Sequence, residues 1–169
     1  MDSFARLLLD QIPRLRRYAR ALAGNVADAD DLVQDCLERA LSRARLWRGD
    51  GELRPWLFTI MHNLYVNRVR RQVRGPQFQP LELGEEPPAP DHWHGESELR
   101  LEELQAGLDA LRPEQREVLL LVALEGMRYE EVAQVLEIPL GTVMSRLFRA
   151  REHLRRLVGQ ETTGLRRVK

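Results

Sequence analysis

The stretch Arg128–Val158, RYEEVAQVLEIPLGTVMSRLFRAREHLRRLV, reads as a helix, a tight turn and a second helix. Val132, Ala133 and Leu136 line one face of the first helix. Ile138-Pro139 ends it, because a residue before proline is pushed out of helical geometry. In the second helix Val143, Leu147, Ala150, Leu154 and Leu157 recur at spacings of four, three, four and three, a narrow apolar stripe. Ser145, Arg149, Glu152 and Arg156 point away from that stripe, and Phe148 flanks them. Arg, Ser and an exposed aromatic on a helix after a short turn suit a DNA major groove. Arg pairs bidentately with guanine, Ser bonds base or phosphate, and Phe packs on a thymine methyl. The alternative is a solvated amphipathic helix whose arginines only keep it in solution.

A chain of 169 residues makes one or two small domains, and 43% hydrophobic content is enough for helical cores. No apolar run approaches the ~20 residues of a membrane span. The N-terminal stretch is interrupted by Asp10, Pro13 and arginines, unlike a secretory signal, so a cytoplasmic protein is expected. The single cysteine, Cys36, excludes an internal disulfide and a cysteine-based zinc site, and falls on an apolar helix face as a buried, inert thiol. The net charge of +0 divides unevenly. Residues 1–76 hold 14 basic and 9 acidic residues (+5), 77–109 hold 1 and 9 (−8), 110–139 hold 3 and 6 (−3), and 140–169 hold 8 and 2 (+6). Two positive blocks around an acidic middle fit two DNA-contacting modules and a connector. Of the 26 basic residues 25 are Arg, a bias that coding-DNA composition also produces.

Taken in order, residues 3–22 carry Phe4, Leu7, Leu8, Ile12, Leu15, Ala19 and Leu22 at helical spacing, with a kink or break expected at Pro13 and an end at Gly24-Asn25. Asp28 is the expected N-cap of a second helix reaching about Arg45. Its stripe is Ala29, Leu32, Val33, Cys36, Leu37, Ala40, Leu41 and Ala44; Asp31, Gln34, Asp35 and Glu38 stay on the polar side, either solvated or a docking face for a basic partner. After a glycine loop at 47–52, a helix from Trp56 to about Arg74 places Leu57, Ile60, Met61, Leu64 and Arg68 on one side. Asn63, Asn67, Arg70, Arg71 and Arg74 accumulate toward its end. Trp47 and Trp56 beside these groups form either a single-strand-binding surface or ordinary aromatic core.

Residues 75–96 contain five prolines and no periodicity, so they read as a linker. His92 and His94 within it lack a second ligand cluster and make a poor metal site. Helix resumes at Ser97 with Leu101, Leu104, Leu108 and Leu111. Arg112-Pro113 starts the next helix, with Val118, Leu119, Leu121 and Val122 in its core strip and Gly126 as its stop. Beyond Gly159 the tail is basic and reads as frayed. The fold class expected is all-α: an N-terminal helical bundle (1–74), a Pro-rich acidic linker (75–96), a C-terminal four-helix domain with a helix-turn-helix (97–159), and a basic tail (160–169).

Three stretches carry a family resemblance: DADDLVQDCLERAL (Asp28–Leu41), RPWLFTIMHNLYVNRVRR (Arg54–Arg71) and LRPEQREVLLLVALEGMRYEEVAQVLEIPLGTVMSRLFRAREHLRR (Leu111–Arg156). With their order and spacing, residues 3–158 resemble the extracytoplasmic-function (ECF) class of bacterial sigma factors. The resemblance implies that Asp31, Leu32, Gln34 and Asp35 dock on the clamp helices of core RNA polymerase, and that the polymerase flap is a further partner. It implies that Trp47, Trp56 and Ile60 frame a pocket for a flipped −10 base, while Asn63, Asn67, Arg70 and Arg71 contact the −10 region. It assigns Thr142, Ser145, Arg146, Phe148 and Arg149 to the −35 element. Met144 departs from the pattern, standing where relatives often carry a basic residue. Further implications are promoter DNA and an anti-sigma factor as partners, recruitment to the membrane only through that factor, no cofactor, no metal, no obligate homo-oligomer and no bond chemistry of its own. Holding a flipped base offsets an unstacking cost of a few kcal/mol, so the sigma factor supplies address and nucleation.

Two other classes compete. An autonomous helix-turn-helix regulator would use residues 1–74 for dimerisation or sensing, and has no use for the Trp47/Trp56/Asn63 set beside arginines. A small hydrolase or metal sensor would be built on His92 and His94. The −8 segment is also a candidate to lie on the basic recognition face and weaken DNA binding.

Overall fold

The computed structural model describes residues 2–47, 49, 51–74 and 96–165, with side chains over 3–47, 49, 51–74 and 100–157. Those residues form α1 (Asp2–Ala23), α2 (Val26–Ser42), a 3-10 turn (Ala44–Leu46), α3 (Leu53–Arg74), α4 (Glu96–Asp109), α5 (Pro113–Ala123), α6 (Tyr129–Leu136) and α7 (Leu140–Leu165). The all-α expectation holds among them.

α1, α2 and α3 pack on one another as an N-terminal bundle. Its centre is Leu15, Leu22, Leu32, Cys36, Leu57 and Met61, with Tyr18 and Phe58 meeting edge to face at 4.9 Å. α1 continues as one helix through Pro13 rather than breaking there. Pro13 is exposed, and Leu9, whose carbonyl loses its partner, is 61% exposed, so water can take that carbonyl. Gly24, at φ +81°, ends α1 in the left-handed region. Asn25, not Asp28, caps α2: its side-chain oxygen accepts from the Asp28 N–H at 2.9 Å. α2 stops at Ser42 and tightens into the 3-10 turn. Leu41, expected on the stripe, is 53% exposed, because the Leu37–Leu41 row drifts off the buried face as the helix turns.

α5, α6 and α7 form the C-terminal module, with α4 against α7. Val118, Leu121, Val132, Val135, Val143, Leu147 and Ala150 are its centre. Leu108 and Leu111 join this core, but Leu101 and Leu104 lie outside it, 64% and 51% exposed. Pro113 opens α5 as expected, and Gly126, at φ +64°, turns the chain between α5 and α6. The turn between α6 and α7 begins one residue earlier than Ile138-Pro139. Glu137 adopts the left-handed conformation (φ 53°), Ile138 N donates to Ala133 O, and Pro139 O accepts from Thr142 and Val143 at the start of α7. Glu131 steadies the other end of α6, accepting from the Arg128 N–H at 2.9 Å; that backbone bond, before the Arg128 charge, lowers its carboxyl pKa.

The modules are not separate bodies. α1 contacts α4 and α5, and α3 contacts α6, so one buried cluster runs through both. Arg116 of α5 binds the carbonyls of Leu108 (2.7 Å), Asp109 (2.9 Å) and Leu111 (3.1 Å) and, across the interface, Leu22 at the end of α1 (2.9 Å). Gln105 of α4 reaches the Ala21 carbonyl at 3.4 Å. The −8 segment lies largely outside the described residues, and so do His92, Trp93 and His94.

Candidate nucleic-acid interface

The outer face of α7 is open. Phe148 is 65% exposed, and Ser145, Arg149 and Arg156 are also exposed. They stay there because Val143, Leu147 and Ala150, at helical spacing on the other side, are anchored against α5 and α6. Phe148, Arg149, Glu152, His153 and Arg156 form one wall of a groove whose other wall is Ala110, Arg112 and Gln115. Ser145 Oγ donates to the Thr142 carbonyl at 3.2 Å, and Thr142 is half-buried. Arg146 behaves differently from its neighbours: it is half-buried, and its charge acts on Glu117 of α5. Met144 is 50% exposed and carries no charge to that face.

On α3, Asn63, Asn67, Arg70 and Arg74 recur at spacings of four, three and four, so they share one exposed face. Asn67, Arg70, Arg71 and Arg74 line a shallow basic surface. Trp47 and Trp56 are half-buried at the start of this face, and Phe4 of α1 packs on both, with ring centroids 5.4 Å and 6.2 Å away. The indoles therefore belong partly to the core and partly to the surface. Trp47 Nε1 is buried without a partner among the described residues. Ile60, four residues on from Trp56 and so on the same helical row, is only 6% exposed.

On α2, Asp31, Gln34 and Asp35 are exposed, whereas Leu32 is 1% exposed. Leu32 belongs to the buried core beneath the face that carries the two aspartates. Asp35 is ion-paired with Arg68 of α3 at 2.6 Å. A cleft of about 480 Å³ separates this face from the C-terminal module, with Asp31, Asp35, Tyr65 and Arg68 on one side and Pro113 and Arg116 on the other.

Five residues that the sequence reading did not single out link these surfaces. Glu117 and Glu125 are buried at 4% exposure each. Glu117 Oε1 lies 2.7 Å from His62 Nδ1 of α3. Burial is the main force raising the Glu117 pKa, with His62 and Arg146 pulling it the other way. Arg17 of α1 donates to Glu125 Oε1 at 3.3 Å, and Arg54 of α3 donates to the Glu125 carbonyl at 3.1 Å. The signal was present: Glu117, Leu121 and Glu125 are four apart and so share one helical row with a core leucine. Among the described residues no cluster of His, Cys, Asp and Glu is arranged to hold a metal, and no helix is long and apolar enough to cross a membrane.

The Sigma2 domain of PhyR matches residues 8–62, and Sigma-70, region 4, matches residues 101–154. The ECF RNA polymerase sigma factor EcfG of Rhodopseudomonas palustris is 37% identical over 161 residues, covering 93% of this chain and 86% of that protein. The ECF RNA polymerase sigma-E factor of Escherichia coli is 31% identical over 153 residues, covering 80% of each. Among solved structures, the sigma factor RpoE in complex with the anti-sigma factor NepR from Bartonella quintana superposes with a TM-score of 0.78 at 31% identity, over 94% of this chain and 98% of that one. CnrH in complex with the cytosolic domain of CnrY gives 0.68 at 27% identity, over 94% and 89%. On these relatives and domain matches, this chain, with its exposed α7 face, basic α3 face and acidic α2 face, belongs to the ECF family of RNA polymerase sigma factors.

Proposed function

We propose that the chain directs promoter-specific initiation by core RNA polymerase, docking through Asp31, Gln34 and Asp35 of α2. The α7 face of Ser145, Phe148 and Arg149 reads the upstream −35 element in a major groove, with Thr142 at its edge. The α3 face of Asn63, Asn67, Arg70 and Arg71, with the Trp47 and Trp56 indoles above Ile60, takes the −10 strand and holds a flipped base. Residues 1–74 and 97–159 are the two functional units. An anti-sigma factor that covers these faces is the expected regulator; the similar RpoE was solved in complex with the anti-sigma factor NepR, and CnrH with the cytosolic domain of CnrY. The work is recognition and nucleation of melting, in the cytoplasm, with no bond made or broken by the chain itself.

The observation that carries this reading is a large aromatic, Phe148, left 65% exposed beside Arg149 on a helix whose opposite side is fully buried. A lone exposed Phe is ordinary on a protein surface; here it shares one helix face with exposed Ser145 and Arg149, a set that suits a major groove. Run-off transcription with core polymerase, using promoters drawn from transcripts that rise on overexpression, tests it. Initiation dependent on the chain and lost in Arg149→Ala supports the reading; failure to direct initiation from any of those promoters defeats it.

A further inference from the structure

The two modules meet through buried polar pairs as well as through apolar contact. Glu117 sits 2.7 Å from His62, with side chains only 5% and 17% exposed. Glu125, whose side chain is 0% exposed, takes Arg17 at 3.3 Å and leaves Oε2 without a partner among the described residues. Both carboxylates are on the C-terminal module and their partners are on α1 and α3. Buried charges hold each other only while the partner stays in place, and each regains full hydration when the interface parts. Such pairs make closure specific, because each buried carboxyl finds its partner only in this arrangement, while the apolar cluster that also crosses the interface adds to closure.

We infer that Glu117 and Glu125 latch the modules into a self-occluded state, which must open before the chain can engage polymerase and both promoter elements together. Closure crowds the polymerase-docking face, since Pro113 and Arg116 of α5 form the far wall of the cleft that Asp31 and Asp35 line. Closure also fails on span. Elements at −35 and −10 are about 25 base pairs apart, or roughly 85 Å at 3.4 Å per pair. A compact chain of this length has a radius of gyration of about 15 Å and is roughly 40 Å across. The 21 residues from 75 to 95 reach at most about 70 Å when extended, which supplies the difference once the latch is released. RpoE, solved with NepR, shares this overall arrangement over 94% of the chain, so the closed geometry is one a relative adopts with its anti-sigma factor bound. Here the latch needs only this chain's own side chains.

The occlusion rests on the promoter reading proposed above; the latch itself does not, and the test separates them. Energy transfer is measured between dyes on Ser42→Cys and Gln134→Cys, both exposed, in the full chain without polymerase or DNA. Cys36 is buried and stays unlabelled. High transfer is expected, falling in His62→Glu and recovering in the swapped pair His62→Glu with Glu117→His. Extended-chain transfer in the unaltered protein, or no change in His62→Glu, overturns the latch, as does failure of the swap while its helicity matches the parent. If His62→Glu loses helicity, Arg17→Glu, at a side chain 56% exposed, takes its place with the same outcomes. Titration with core polymerase follows. A latch variant should bind at least about tenfold tighter, because apparent affinity scales with the open fraction. Opening without that gain overturns the occlusion. Absence of polymerase binding in parent and variant alike refutes the sigma-factor reading and leaves the energy-transfer result standing.

Discussion

Arg68 Nη2 donates to Asp35 Oδ2 at 2.6 Å, and the same guanidinium reaches the Asp28 carbonyl at 3.2 Å, tying α3 to the acidic face of α2. Both side chains are partly open to solvent, at 29% and 48% exposure, so the pair contributes little to stability. Its main effect is to orient Asp35. Arg68→Ala is therefore expected to cost about 0.5–1 kcal/mol in denaturant unfolding. Asp35→Ala should cost no more in stability, yet weaken core polymerase binding severalfold. Equal polymerase affinity in Asp35→Ala and the parent would remove Asp35 from the docking face.

Phe148 separates recognition from folding. Its ring is 65% exposed, so Phe148→Ala should change unfolding free energy by no more than about 0.5 kcal/mol. Loss of its apolar contact with a thymine methyl should instead appear as weaker duplex binding. Fluorescence anisotropy with an upstream-element duplex, alongside a urea melt, reads both quantities. A stability loss as large as the binding loss would mean that Phe148 is structural.

Cys36 reports on the N-terminal core. Its thiol is fully buried, with Sγ 3.6 Å from the Leu57 carbonyl, and burial pushes its pKa up to about 12. The thiolate is the reactive form, so a disulfide reagent at neutral pH should modify the folded chain only through unfolding. Modification should reach completion within minutes in denaturant. Rapid modification of the native chain would contradict the packing of α2 on α3.

The Glu117 carboxyl makes docking pH-dependent. Burial raises its pKa in the docked form, ahead of the opposing pull of His62 and Arg146; Glu114 on its own helix adds to the rise. Tyr18 of α1 and Tyr65 of α3 also face it, and their pKa values are raised mainly by burial. A carboxyl with a higher pKa when docked takes up a proton on docking. Its contribution is then fully present below the ordinary carboxylate range and fades as pH rises through the raised value. Energy transfer between the modules should fall over that interval in the parent and lose this component in Glu117→Gln. An unchanged profile in Glu117→Gln would assign the effect elsewhere.

Much of the fold and site was legible as periodicity. The α7 stripe of Val143, Leu147 and Ala150 fixes its outer face, so Ser145, Phe148 and Arg149 were located by counting alone. Pro113 at the start of α5 and Gly24 and Gly126 at turns act within a few residues of themselves, and they were read correctly. The misses were of two physical kinds. Local competition decided that Asn25 caps α2 in place of Asp28 and that Glu137 takes the left-handed turn position, a choice between near-equal candidates a few residues apart. Drift of a 3.6-residue helix decided that Leu41 stays outside its core, whereas Leu101 and Leu104 lie on the row of Leu108 and Leu111 one heptad earlier and are exposed there.

By itself, then, the sequence determined which segments are helices and which face of each is apolar, because those follow from neighbours along the chain. Only the tertiary structure decided that His62 meets Glu117, 55 positions away, that Arg17 meets Glu125, and that the two modules close on each other. A carboxylate in an apolar row is a liability until a distant partner is placed opposite it, and nothing in the local sequence names that partner.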